Sequence, residues 1–468
     1  IARGLPSRYV GHVLGHEGEG SLHHLMNARG WIESLSAGSQ DFDRNTSLLT
    51  VNIELTKAGR DHVEEITDLL FQYLDMLRAQ PPQDWLYQEQ ARVAELGFRF
   101  QEKGSTVGFV YRMAPSLDLY PAEDLLVAPY IMEAFDPALI EKFLNYLRPD
   151  NVLLEVTAPD STTDQIEPWF KVPFALERAA LKRLAVTDAQ LHLPEVNPFL
   201  PEQLDLVAAD DQIMRRFIDQ PELKLWLDTD IEFGAPRANM TLGLLTETGL
   251  LSAENQAQAI LLQRLVNDSL SAVTYPAYLA GLGYSINVSD SGFAISVNGY
   301  QDKQMALLKT VTERLFSTAI STERFTTIKS SLIKDWRNSS KDKPYLQALG
   351  ALGDTFLSGS WPATTLADAL EPINLDALLQ WRRQQLKTVG VIAALHGNVR
   401  VADAEQLRDF VNTTIKPKTV IRQRSEIADL TENLRLDLAV DHDDSALLIY
   451  VQDPDDSFAS RAKSGLAG

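Results

Sequence analysis

The stretch Gly15-His16-Glu17-Gly18-Glu19-Gly20-Ser21-Leu22 has residue types suited either to an anion cradle or to the rim of a metal site. A glycine-rich turn feeding a helix N-terminus offers backbone N–H groups and a favourable dipole to a phosphate. Here Glu17 and Glu19 would repel one. No lysine follows the last glycine as the Walker pattern requires, and His23 stands where a third glycine of the dinucleotide spacing would be. Metal chemistry fares no better. Among the eight histidines, His12 and His16 have the i,i+4 spacing of two zinc ligands on a helix, but Val13 occupies the place of the base glutamate in H-E-x-x-H. Gly11 and Gly15 also weaken a helix there. His62-Val63-Glu64-Glu65-Ile66 carries H-x-x-E, with Ile66 in place of the second histidine of an inverzincin. It is expected to be the solvated face of an amphipathic helix. His396 ends the strand pattern "VIAALHGN", where a strand-capping role is expected. There is no G-x-S-x-G elbow, and the absence of cysteine removes thiolate nucleophiles, disulfides and thiolate metal sites. The sequence thus holds no complete catalytic constellation.

The elements that would position these residues follow from hydrophobic periodicity. Leu49, Val51, Ile53 and Leu55 alternate with Thr50, Asn52, Glu54 and Thr56, predicting a half-buried strand over 47–56. Apolar residues at three- and four-residue intervals predict a helix over 61–78, stopped by Pro81-Pro82. A second helix is expected over 84–100, shorter helical pieces up to about 146, and a strand over 151–157, "NVLLEVT". The order then recurs: a helix ends at "GLGY", "SINVSDSGFAISVNGY" makes a hairpin, helices follow over 303–317 and 321–336, and "RRQQLKTVGVIAALHGN" parallels "LNYLRPDNVLLEVTAP". In this overlay Gly30-Trp31 lies over Gly283-Tyr284 and Leu147 over Leu386.

A repeat of roughly 200 residues far exceeds solenoid periods of about 20–50, so it predicts duplicated α+β domains, each a mixed, mostly antiparallel sheet packed against helices. Between the copies, residues 191–203 carry three prolines and suit an extended linker. After the second copy, "LRLDLAVDHDDSALLIYVQDP" predicts two strands around His442-Asp443-Asp444-Ser445, beginning a third unit.

The 468 residues carry 43 Lys and Arg against 64 Asp and Glu, a formal charge of −21, with no apolar run long enough to cross a bilayer. Binding nucleic acid or anionic membrane needs a basic footprint, so peptides or cationic ligands fit better. The chain opens "IARGLPSRYVGH" and closes "SFASRAKSGLAG", without a signal-peptide pattern at one end or a closing element at the other, and is expected to be an excerpt of a longer polypeptide.

The segments "YVGHVLGHEGEGSL", "ARGWIESLSAG", "RPDNVLLEVTAP", "NPFLPEQL", "LKLWLDTDIEFGAPRANMTL", "AYLAGLGYSI", "NGYQDKQ" and "ALHGNV", in that order, resemble the pitrilysin and insulysin zinc metallopeptidases. The resemblance covers nearly the whole chain. It implies four homologous α+β domains in two bowl-shaped halves enclosing a peptide-sized chamber. Residues 1–178 would be most of the second domain, 179–203 a linker, 204–425 the third domain and 426–468 the start of the fourth. The family's H-x-x-E-H zinc motif belongs to the first domain and has no match here, so Zn2+ is expected in the full-length metalloendopeptidase and neither zinc binding nor peptide cleavage in this chain alone. The resemblance further implies an exosite that holds a peptide's N-terminal end, with matching positions Gly15, His16 and Glu17 in the turn and Leu35, Ala37 and Ser39 along the following strand. Glu17 is the residue suited to capturing a cationic α-amine. Relatives often carry glycine where this chain has Ala37, whose Cβ is expected to tilt or weaken a docked strand. The alternative reading of the turn is local: "GEG" redirects the chain and Ser21 caps the helix beginning at Leu22. Implied partners are peptide substrates and the other domains of the enzyme, and the implied location is the periplasm, with the cytoplasm as alternative. A competing function is a non-catalytic peptide-binding or structural subunit related to processing-peptidase core proteins.

Overall fold

The computed structural model describes residues 5–467 apart from 42–45, 102–103, 119, 129, 131, 133, 182, 184–189, 209–213, 231, 454 and 456. The chain forms two compact units, Ile1–Leu200 and Pro201–Gly468.

In the first unit, helix α1 (Pro6–Leu14) starts on a proline, whose missing N–H costs nothing in a first turn. Helix α2 (Leu22–Ala28) is capped by Ser21, whose Oγ accepts the His24 N–H at 3.1 Å. The antiparallel hairpin β1 (Ile32–Asp41) and β2 (Ser47–Leu55) follows. A 3-10 turn at Gly59–His62 then leads into α3 (Val63–Arg78), so the helix expected from 61 begins two residues later. Helices α4 (Asp84–Arg99), α5 (Thr106–Ser116) and α6 (Pro137–Leu144) and a short hairpin, β3 (Gln165–Ile166) with β4 (Pro173–Phe174), complete the unit. Its core joins Val10, Val13 and Leu14 of α1 to Leu25 and Met26 of α2, Leu35 of β1 and Leu69 and Tyr73 of α3. Burying each such aliphatic side chain contributes about 1.5–3 kcal/mol.

The second unit is built on a six-stranded sheet in the order β5-β6-β10-β7-β9-β8. Its strands are β5 (Met214–Asp219), β6 (Leu223–Thr229), β7 (Arg237–Thr246), β8 (Leu282–Ser289), β9 (Gly292–Tyr300) and β10 (Val389–Gly397). Strand β10 runs parallel to β6 and antiparallel to β7. That central position explains the near-continuous apolar run "VGVIAAL". Leu225, Leu227, Leu242, Leu244, Ile295 and Val297 point to the buried face, which is covered chiefly by α7 (Ala253–Leu279) and α8 (Gln304–Ser317). Helices α9 (Thr322–Asn338), α10 (Pro344–Phe356), α11 (Ala363–Leu370), α12 (Leu375–Gln385) and α13 (Val401–Phe410) follow, and α14 (Phe458–Ala467) lies near the end.

The two units repeat one plan, helix, hairpin, 3-10 turn and helix pair, with β1 and β2 answering to β8 and β9. At the helix-to-hairpin corner the left-handed backbone falls on Gly30 (φ 70°) and Gly281 (φ 79°), a conformation that costs glycine little. The equivalent of Gly30 is therefore Gly281, and the sequence overlay on Gly283 shifts by two residues.

Two expectations fail in the structure. Residues 151–157, the counterpart of β10, form no strand, and Leu153 is 80% exposed. In the second unit β10 is held between β6 and β7; among the described residues of the first unit no strand lies beside 151–157. Residues 431–453 likewise form no strand, and Leu447 and Val451 are exposed. Alternation selects the face a strand would bury but cannot supply the partner whose hydrogen bonds make it a strand. Arg183, His192 and Asn197 of the linker are tied back to α3 and α4 of the same unit. The Tyr73 hydroxyl donates to the His192 carbonyl at 3.3 Å, Glu89 Oε1 accepts the Asn197 N–H at 2.8 Å, and Arg183 pairs with Asp68 and Asp75 of α3.

Candidate functional site

Helix α7 runs unbroken for 27 residues in the second unit. Its counterpart in the first unit is broken at Gly15–Ser21 into α1 and α2. The break is held from within and from outside. His16 is buried and its Nδ1 accepts the Gly18 N–H at 3.0 Å. A Cβ at Gly18 would come 2.5 Å from His16 Cε1, so the contact requires glycine there. The Gly20 carbonyl accepts the His192 N–H at 3.0 Å. Ser21 caps α2 as the local reading expected.

The turn sits against β1. A Cβ at Gly15 would lie 3.3 Å from the Ala37 nitrogen and 3.7 Å from the Ala37 Cβ, so helix and strand meet at close to backbone contact. Strand β1 pairs with β2 in the register Leu35↔Ile53, Ala37↔Val51 and Ser39↔Leu49. The sheet has two strands, so among the described residues the other edge of β1 has no strand partner. Alternate residues of a strand send their N–H and C=O groups to one edge, so Leu35, Ala37 and Ser39 act as a set.

Their side chains do not line that edge. Leu35 is 5% exposed in the core, Ala37 packs partly buried against it, and the Ser39 Oγ donates to the Ser7 Oγ at 3.1 Å. The methyl of Ala37 therefore packs partly buried beneath α1. What β1 offers a ligand is main chain.

Burial sets the electrostatics. The pKa of His12 and that of His16 are both pulled down to about 4, by desolvation in each case and, for His16, by the neighbouring His12 as well. Their rings meet edge to face at 5.8 Å. His23 is also lowered, by burial first and by His24, against the opposing field of Glu17. Its buried Nδ1 has no hydrogen-bond partner among the described residues. Glu17 is half-buried, so its charge already acts within the turn.

Other residues singled out from the sequence have structural places. His62 stacks on Trp31 with ring centroids 4.3 Å apart, its Nδ1 3.4 Å from Glu65. His396 Nδ1 lies 2.9 Å from Asp228 Oδ2, the residue opposite it on β6. Among the described residues no three His, Cys, Asp or Glu side chains converge as a metal site. The His12–His16 pair does not fit zinc either, since His16 Nδ1 accepts the Gly18 N–H. Sequence reasoning missed His192, which reaches the turn from far down the chain, and Asn398. The latter is fully buried; its Oδ1 accepts the Val207 N–H at 2.8 Å and its Nδ2 donates to the Asp205 carbonyl at 3.1 Å.

Comparison with known proteins agrees with this architecture. Residues 98–369 match the family model described as the middle or third domain of peptidase M16, and residues 3–93 match the one described as the peptidase M16 inactive domain. The chain therefore belongs to the pitrilysin/insulysin family of M16 peptidases. It is 31% identical over 420 residues to human insulin-degrading enzyme, covering 88% of this chain and 41% of that protein. It is 29% identical over 489 residues to the Arabidopsis thaliana protein "Insulin-degrading enzyme-like 1, peroxisomal", covering 99% and 50%. The crystal structure of pitrilysin shares the fold, with a TM-score of 0.76 at 21% identity over 89% of this chain and 45% of that one. The chain spans about half the length of these relatives, 41% and 50% of the two proteins compared.

Proposed function

We propose that this chain is the substrate-holding portion of a zinc metalloendopeptidase acting on peptides and small proteins, working in the periplasm. The zinc ligands of the whole enzyme would lie in polypeptide other than residues 1–468. In this reading the edge of β1 takes up a peptide as an added strand, and Glu17 with the Gly15–Gly20 turn receives its N-terminal amine. One observation carries the reading: a strand edge with no described strand partner lies against the point where a helix, continuous in the second unit, is broken. Strand addition supports affinity through main-chain hydrogen bonds and is therefore tolerant of sequence, as a degradative enzyme needs. The net charge of −21 favours basic or amphipathic peptides. The experiment is an anisotropy titration of purified 1–468 with a labelled basic peptide bearing a free N-terminus. Micromolar or weaker binding without hydrolysis is expected; no binding at millimolar peptide, or zinc-dependent cleavage, overturns the reading.

A further inference from the structure

We infer that His16 is a positioning residue that locks the turn beside β1 only while its imidazole is neutral, making peptide capture acid-labile. The inference rests on the reading of the β1 edge as a peptide site and adds a control over it.

The lock is a matter of donors and acceptors. A neutral imidazole has one nitrogen able to accept, and in His16 that nitrogen, Nδ1, takes the Gly18 N–H at 3.0 Å. Protonation places a hydrogen on Nδ1, so two N–H groups then face each other in a buried place. The ring has little room to turn aside, because Gly18 lies against its Cε1 edge and the His12 ring meets it at a T-shaped contact. His12 on α1 repels the new charge, as the lowering of His16 by His12 records. On α2 stand His23 and His24, with Glu17 acting on His23; His192 packs its ring against Gly20 from the linker. Glu19 is exposed. The turn is rooted at Gly15, within backbone contact of Ala37, so its loss frees the segment that backs the proposed peptide edge. Burial keeps the imidazole neutral down to about pH 4, which places the transition below neutrality.

Two measurements on wild type and His16→Asn test this, each from pH 7 to pH 4. Asparagine Oδ1 stands near the place of Nδ1 as an acceptor that does not titrate. The first is hydrogen exchange of the 12–22 segment, expressed as the ratio of wild-type to variant rates at each pH so that intrinsic exchange cancels. The second is affinity for a labelled peptide with a free N-terminus. The exchange ratio is expected to be near one at pH 7 and to rise at least tenfold by pH 4, while wild type loses at least tenfold more affinity than the variant. A flat exchange ratio overturns the inference. So does an equal loss of affinity in both proteins. A rising exchange ratio in a protein that binds no peptide at any pH supports the lock and refutes the peptide reading instead.

Discussion

Arg183 Nε donates to Asp68 Oδ1 at 2.7 Å, and the carboxylate it holds is fully buried within the first unit. The same guanidinium reaches Asp75 at 2.8 Å and stands 5.7 Å over the ring of Phe71. One cation from the segment read as a linker thus neutralises a buried charge on α3. The same segment also delivers His192 to the glycine turn, so the pairing bears on the candidate site as well as on stability.

Arg183→Met is expected to destabilise the first unit by about 2–4 kcal/mol, because it removes the cation paired with the buried Asp68 carboxylate. The value sits at the lower end because the guanidinium is itself 35% exposed. Urea unfolding followed by a probe in the first unit reads it. The double variant Arg183→Met, Asp68→Asn should recover at least half of the loss, and no recovery would show that the pairing is not the cause.

Acid should weaken the first unit as pH falls below about 6.5, because a buried neutral histidine must then be charged. The pKa of His16 falls from 6.5 unfolded to about 4 folded, so the native state binds fewer protons. Its contribution is complete above pH 6.5, shrinks as pH falls, and by pH 4 has cost roughly 3 kcal/mol. Thermal unfolding between pH 7 and 4.5 should show this slope, reduced in His16→Asn.

Glu17→Gln is expected to weaken a peptide with a free N-terminus by about 3- to 30-fold, the scale of one charge-assisted hydrogen bond in a partly exposed place. The N-acetylated peptide should lose far less. Equal losses in parallel titrations would remove Glu17 from amine recognition and leave its role with His23.

The exposed apolar residues of 151–157 and 431–453 are expected to drive self-association of the isolated chain at tens of micromolar. Leu153→Lys with Leu447→Lys should lower the sedimentation-derived mass toward that of one 52.1 kDa chain. An unchanged mass distribution would place the association elsewhere.

Periodicity made β2, α3 and α4 legible because each buries one face against neighbours in the same unit, and the apolar spacing is a direct imprint of that burial. The duplication was legible for the same reason, down to a two-residue shift at Gly281 that only backbone dihedrals could correct. The pattern at 151–157 misled, since the signature of a strand is written by its side chains while the strand itself depends on neighbours. At the site, the glycine turn and the cap at Ser21 could be read locally. The neutral acceptor role of His16, the methyl of Ala37 under α1 and the arrival of His192 could not, because they depend on which side chains face inward once the chain has folded.

The central claim is that β1 receives a peptide through its main chain. Site-resolved hydrogen exchange across residues 32–41, with and without a saturating unlabelled peptide, tests it most directly. The account predicts that alternate amides of β1 become protected while those of α9 do not change. A peptide that binds with affinity yet leaves every β1 amide exchanging at its free rate would contradict it.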